Sequence, residues 1–192
     1  AGSDKSLDHT KITGMGSVSG STSTTKASLN SQAPDFTFKL DNGTISSLSN
    51  LRGNYVAMRF WDSGCWVCIG NDNDATDLLY KNFNGKKTTS GGKLIIMGVY
   101  PEFGNYFQET KQNMENEIQA QINAGSQILC GGSPQGSCGK GLASSTIQLF
   151  DKENRISKSF NITDFNSNWV LIDPTGKLII TPETNQGWPS PI

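Results

Sequence analysis

The sequence predicts an α/β domain in which parallel strands are joined by crossover helices, and three observations carry that reading. Residues 55–61 are a run of strand-type residues, apolar except for Arg59, that leads into two cysteines at the start of a helical stripe. Residues 94–100 form a second short apolar strand between Gly91-Gly92 and Pro101, and a polar helix follows over 107–123. Residues 169–180 read as two strands joined by Asp173-Pro174-Thr175-Gly176, with Pro and Gly where a turn needs them. Strand, helix, strand in that order suits a parallel sheet.

Taken in order, the chain begins with residues 1–32, which are rich in Ser, Thr, Gly and Lys. With little to bury, they are expected to be a flexible tether with little order. From Ala33 the pattern changes. Phe36, Phe38 and Leu40 alternate with polar residues, and Asp41-Asn42-Gly43 supplies a turn before Ile45, so a β-hairpin is expected. After the central strand, Cys65, Cys68, Ile69, Asp72, Thr76, Leu79, Tyr80 and Phe83 fall at helical spacing, and Asn84-Gly85 marks the stop. Asp72, Asp74 and Asp77 lack the Gly and distal Glu of a calcium loop and read as a solvated helix face. In the helix over 107–123, Met114, Ile118 and Ile122 share one side. Residues 131–141 form a Gly- and Ser-containing loop with Cys130 and Cys138 at its base, and 144–161 read as a short strand followed by one helical turn or two. The core domain is placed at 33–181, with a C-terminal tail over 182–192.

Composition narrows the function. The 192 residues carry a net charge of -1, which gives no electrostatic argument for nucleic acid or an acidic membrane surface, and no apolar run reaches transmembrane length. Four cysteines, an even number, suit an oxidising compartment without demanding one. The first residues do not read as a signal peptide, which fits either a cytosolic protein or a mature chain already trimmed.

The chemistry resides in Cys65-Trp66-Val67-Cys68. A thiolate attacks disulfides and a thiol does not, and an isolated thiol at neutral pH is mostly protonated. At a helix start, unpaired N–H groups and the positive end of the dipole favour a negative sulfur, so Cys65 is the expected nucleophile. Cys68, one turn further along the same face, is placed to resolve a mixed disulfide on Cys65.

These residues resemble the thioredoxin-like thiol-disulfide oxidoreductases, in particular the membrane-tethered branch of bacterial envelopes. The resemblance is carried by Phe60-Trp61, the polar turn and the CxxC pair, and by the APDF opening with its hairpin, which also resembles peroxiredoxins. It implies a central mixed sheet flanked by helices with an N-terminal hairpin addition, and catalysis by Cys65 and Cys68 without a cofactor. Protein thiols and disulfides, with a separate redox partner, would be the reactants, and Trp66, Val67, Arg59 and Ser167 would support the pair. The tether resembles the spacer behind a lipid anchor, which places the protein outside the cytoplasm.

The sequence departs from that family's pattern in several places. Gly64 stands where a Trp usually precedes the first Cys, Trp66-Val67 replaces a pair ending in Pro, and Arg59 sits where a buried acid or amide often lies. Asn166-Ser167-Asn168 occupies the place of the substrate-clamping cis-proline, which could leave room for a metal at the dithiol. The family's last helix is missing or replaced by the tail carrying Trp188.

Rival chemistries meet specific absences. A peroxidase site wants Pro and then Ser or Thr where Met58 and Asp62 stand, and a copper chaperone of this fold uses a distal His, while the single His is His9 in the tether. Four thiolates suit zinc, but the seven residues between Cys130 and Cys138 exceed knuckle spacing. A non-catalytic binding module, in which Cys65-Cys68 is a structural bridge, and a metal-binding dithiol protein are the remaining alternatives. Cys130 and Cys138 are expected to form a structural disulfide of their own.

Overall fold

The computed structural model describes residues 12–61, 83, 86–89, 91–102, 109–124, 146–163 and 168–181. Eight strands form one sheet: β1 Gly14–Thr22, β2 Phe36–Leu40, β3 Ile45–Ser47, β4 Tyr55–Phe60, β5 Leu94–Pro101, β6 Ile147–Asp151, β7 Asn168–Ile172 and β8 Leu178–Ile180. Their order across the sheet is β3-β2-β1-β6-β5-β4-β7-β8. β1, β6, β5 and β4 run parallel, and the two outer pairs are antiparallel. This is the expected mixed sheet. Two helices are described with it, α1 Lys111–Ala124 and α2 Arg155–Ser159.

The hairpin forms as its alternation predicts. Phe36, Phe38 and Leu40 are buried while Lys39 between them is exposed. Gly43 takes the turn with φ +88°, and the Asn42 side chain accepts a hydrogen bond from the Thr44 N–H at 2.9 Å. The two strands at the far edge likewise meet across the Asp173 turn, where Asp173 Oδ1 accepts from the N–H of Thr175 and of Lys177, each at 2.9 Å.

The region expected to be a tether departs from that reading. Gly14–Thr22 is an inner strand, paired antiparallel to β2 and parallel to β6. Its sequence, GMGSVSGST, has few apolar residues, so it is held chiefly by two hydrogen-bonded ladders. At one position in it, glycine is required for a steric reason. A Cβ on Gly16 would lie 2.3 Å from the backbone oxygen of Lys39, so β2 approaches closer than any larger residue allows. Residues 1–11 lie outside the described residues.

The sheet buries both faces. On one, Phe36, Phe38, Val56, Met58, Phe60, Met97, Val99, Ile147, Leu149 and Val170 join Ile156 and Phe160 at α2 in a single apolar core. On the other, Trp61, Tyr100 and Phe150 pack with Met114 and Ile118 of α1, and Met15 of β1 lies against them. Met114 and Ile118 are the positions that helical spacing assigns to the buried side. The helix begins at Lys111 and not at Phe107, because Thr110 caps it: its hydroxyl oxygen accepts from the Asn113 N–H at 3.1 Å. Lys111 then reaches Asp41 in the hairpin turn at 2.5 Å and Glu115 at 3.0 Å. The strand and short helix expected over 144–161 appear as β6 and α2, joined by a 3-10 turn at Lys152–Asn154.

Candidate functional site

Residues paired across neighbouring strands point to the same face, so one row of the sheet can be read directly from the register. Met15 on β1 pairs with Gln148 on β6, Gln148 with Gly98 on β5, Gly98 with Arg59 on β4, and Arg59 with Trp169 on β7. One position further along, Phe60 pairs with Val99 and with Asn168. Trp61 closes the β4 ladder by donating its N–H to the Val99 carbonyl at 3.0 Å.

Around Trp61 the side chains are specific. Its indole Nε1–H donates to Gln148 Oε1 at 3.1 Å, and the Gln148 amide nitrogen donates to the Thr146 hydroxyl at 2.9 Å. The ring meets Tyr100 edge-on with centroids 4.8 Å apart. The Arg59 guanidinium lies 5.6 Å from its centroid, a cation held over an aromatic face. Tyr100 donates its hydroxyl hydrogen to Glu109, a buried carboxylate just before α1. Burial, followed by the charge of Glu109, pushes the Glu117 carboxyl of α1 above its ordinary pKa. The carboxyl end of β4 is therefore underlain by a dense group of aromatic and polar side chains.

Of the site residues expected from sequence, Arg59 is described, and it is buried at 6 % exposure. Cys65, Trp66, Val67, Cys68, Ser167, Cys130 and Cys138 lie outside the described residues, as do the tail from 182 and the helix expected after Cys65 except for Phe83, which is helical and exposed where the stripe places a core position. The points from which their segments depart are described. The CxxC segment follows Trp61, the segment ending in Ser167 leads into Asn168, and Phe60 and Asn168 are register partners. The Cys130-Cys138 segment returns to the sheet at Thr146, directly before Ile147, which pairs with Met97 in the interior of β5. Among the described residues no group of three His, Cys, Asp or Glu could hold a metal ion.

Sequence reading missed Gln148, Gly98, Tyr100 and Glu109. The available signal was the one that flagged Arg59: Gln148 is a polar residue inside the apolar run Ile147-Gln148-Leu149-Phe150. Gly98, an interior strand glycine, was a second such signal.

No protein-family model matches the sequence, nor does any curated protein. Solved structures do match. The thioredoxin domain of a thiol-disulfide oxidoreductase from Bacteroides vulgatus aligns with a TM-score of 0.52 at 21% identity, over 81% of this chain and 89% of that one. A thiol:disulfide interchange protein from a Bacteroides species gives 0.50 at 20% identity, over 80% of each chain. A thioredoxin-like protein from Bacteroides caccae gives 0.50 at 18% identity, over 84% of this chain and 48% of that one. Mixed sheet, hairpin addition and helices thus give this chain the thioredoxin-like fold seen in those thiol-disulfide oxidoreductases.

Proposed function

We propose that the protein exchanges disulfides with protein substrates through Cys65 and Cys68. The observation that carries this reading is the pairing of Phe60 with Asn168 beside the end of β4. It roots the CxxC segment and the segment ending in Ser167 at neighbouring positions, where the carboxyl ends of parallel strands supply the binding crevice of open α/β sheets. The thioredoxin-like fold adds support from analogy.

In the reducing direction the Cys65 thiolate attacks a substrate disulfide. A Cys65–substrate bond forms, the substrate S–S bond breaks, and one substrate sulfur leaves as a thiolate. The Cys68 thiolate then attacks the Cys65 sulfur, closing the Cys65-Cys68 disulfide and releasing the second substrate sulfur. Two electrons have passed to the substrate, and the reverse sequence oxidises it. Direction depends on the pair's potential against its redox partner. Arg59 holds its cation over Trp61, the residue from which the CxxC segment departs, and a nearby cation favours a thiolate. Trp66, Val67 and Ser167 are assigned to support of the pair, and Cys130-Cys138 to a separate structural bridge. The setting proposed is extracytoplasmic.

Alkylation of the reduced protein at mildly acidic pH tests the assignment. Cys65 should label first, and Cys65→Ser should abolish disulfide exchange. Absence of a fast-reacting thiol would favour a non-catalytic binding module with a structural disulfide.

A further inference from the structure

We infer that Gln148 is a positioning residue for the dithiol, acting through Trp61; the inference deepens the disulfide-exchange reading and rests on it. Gln148 is 8 % exposed in a strand whose other side chains are mostly apolar, and burying a primary amide is unfavourable unless both of its ends are bonded. Both are. An indole nitrogen can only donate, so Oε1 must face Trp61, which leaves the amide nitrogen toward the Thr146 hydroxyl.

The arrangement spans β5. From β6 to β4 is two strand spacings, roughly 10 Å, and the Gln148 side chain crosses that gap directly over Gly98. A Cβ on Gly98 would lie 1.9 Å from Gln148 Oε1. Glycine weakens a strand interior, so its presence at the centre of a buried strand is accounted for by the passage it leaves open for this side chain. Two residues fifty positions apart in sequence thus serve one hydrogen bond.

That bond fixes the last rung before the cysteines. Trp61 is held on one side by Tyr100, on another by the Arg59 guanidinium and at its polar edge by Gln148. With its backbone N–H bonded to Val99, Trp61 is held in both backbone and side chain, and it is the last described residue before the CxxC segment. Loss of the Gln148 acceptor would leave a buried indole N–H unsatisfied and free Trp61 to turn.

Four variants test this in the full chain. Gln148→Met keeps length and fills the space without an acceptor. Gly98→Ala keeps Gln148 but displaces it. Trp61→Phe removes the donor, and Gln148→Met/Trp61→Phe removes both. The readouts are the pH profile of Cys65 alkylation and the Cys65-Cys68 reduction potential. Each single variant should change the Cys65 alkylation rate at mildly acidic pH by about fivefold, the scale set by one hydrogen bond, and the double variant should add little beyond either single. A wild-type profile in Gln148→Met and Gly98→Ala, even with lowered thermal stability, would overturn the inference while leaving disulfide exchange intact. If wild-type Cys65 itself shows no fast-reacting thiol, the disulfide-exchange reading fails and the positioning role with it.

Discussion

On one face of the sheet the strands present Val56, Met58, Phe60, Met97, Val99, Ile147 and Leu149 to a continuous apolar core; on the other the same strands present Arg59, Trp61, Tyr100 and Gln148. The difference lies in what specifies position. Apolar packing is non-directional and tolerates exchange among residues of similar volume. The polar face is held by bonds with fixed partners: indole to amide, amide to hydroxyl, phenol to carboxylate. Those groups gain little net stability from their bonds but lose heavily if a partner is removed. The directional face therefore holds one arrangement, and it is the face on which Trp61 leads into the CxxC segment.

The largest effect that separates the faces is expected at Phe38, which is fully buried in the apolar core beside Phe36. Phe38→Ala should lower unfolding free energy by about 3–5 kcal/mol, measured by denaturant titration. The pH profile of Cys65 alkylation should stay at the wild-type position. Matching shifts in both measurements would mean that the two faces are not separable.

A smaller effect is expected from Arg59. Arg59→Met removes the cation over Trp61 and should cost about 2 kcal/mol, the scale of a desolvated cation–π contact. It should also raise the Cys65 pKa, because a neighbouring positive charge favours the thiolate. Lowered stability with an unmoved thiol would assign Arg59 to structure alone.

The same contrast explains what the sequence made readable. β2, β4, β5, β7 and β8 were legible because alternating or continuous apolar residues bounded by turn chemistry are the direct signature of a buried strand. β1 was illegible because its residues are small and polar; its place between β2 and β6 depends on backbone ladders and on the absence of a side chain at Gly16, which no local pattern encodes. The proposed CxxC chemistry rests on local spacing, which a sequence carries by itself. Gln148 was not read, because a polar residue in an apolar strand has meaning only once Trp61, Thr146 and Gly98 are known to surround it.

The smallest expected effect concerns a buried carboxylate on the apolar face. Asp151 ends β6, is fully buried, and accepts from the Ile156 N–H at 2.8 Å, the Ser157 N–H at 2.8 Å and the Ser157 hydroxyl at 2.7 Å. Burial pushes its pKa up, and the hydrogen bonds from Ser157, Ile156 and Arg155 offset only part of that rise. With the folded pKa above the unfolded one, the folded state binds the extra proton between the two values. The contribution of Asp151 to stability is then fully present below the ordinary carboxyl pKa of 3.8 and declines as pH rises through the folded pKa. Asp151→Asn cannot titrate and turns an amide N–H toward donors at Ser157, so it should cost about 1 kcal/mol at neutral pH. Because only the wild type loses stability with rising pH at this site, the gap between wild type and Asp151→Asn should be widest in acid and narrow toward neutrality. Paired denaturant titrations across that range read the gap directly. A gap that widens toward neutrality would mean that the three donors outweigh burial, and that even the apolar face relies on a directional cluster to hold α2.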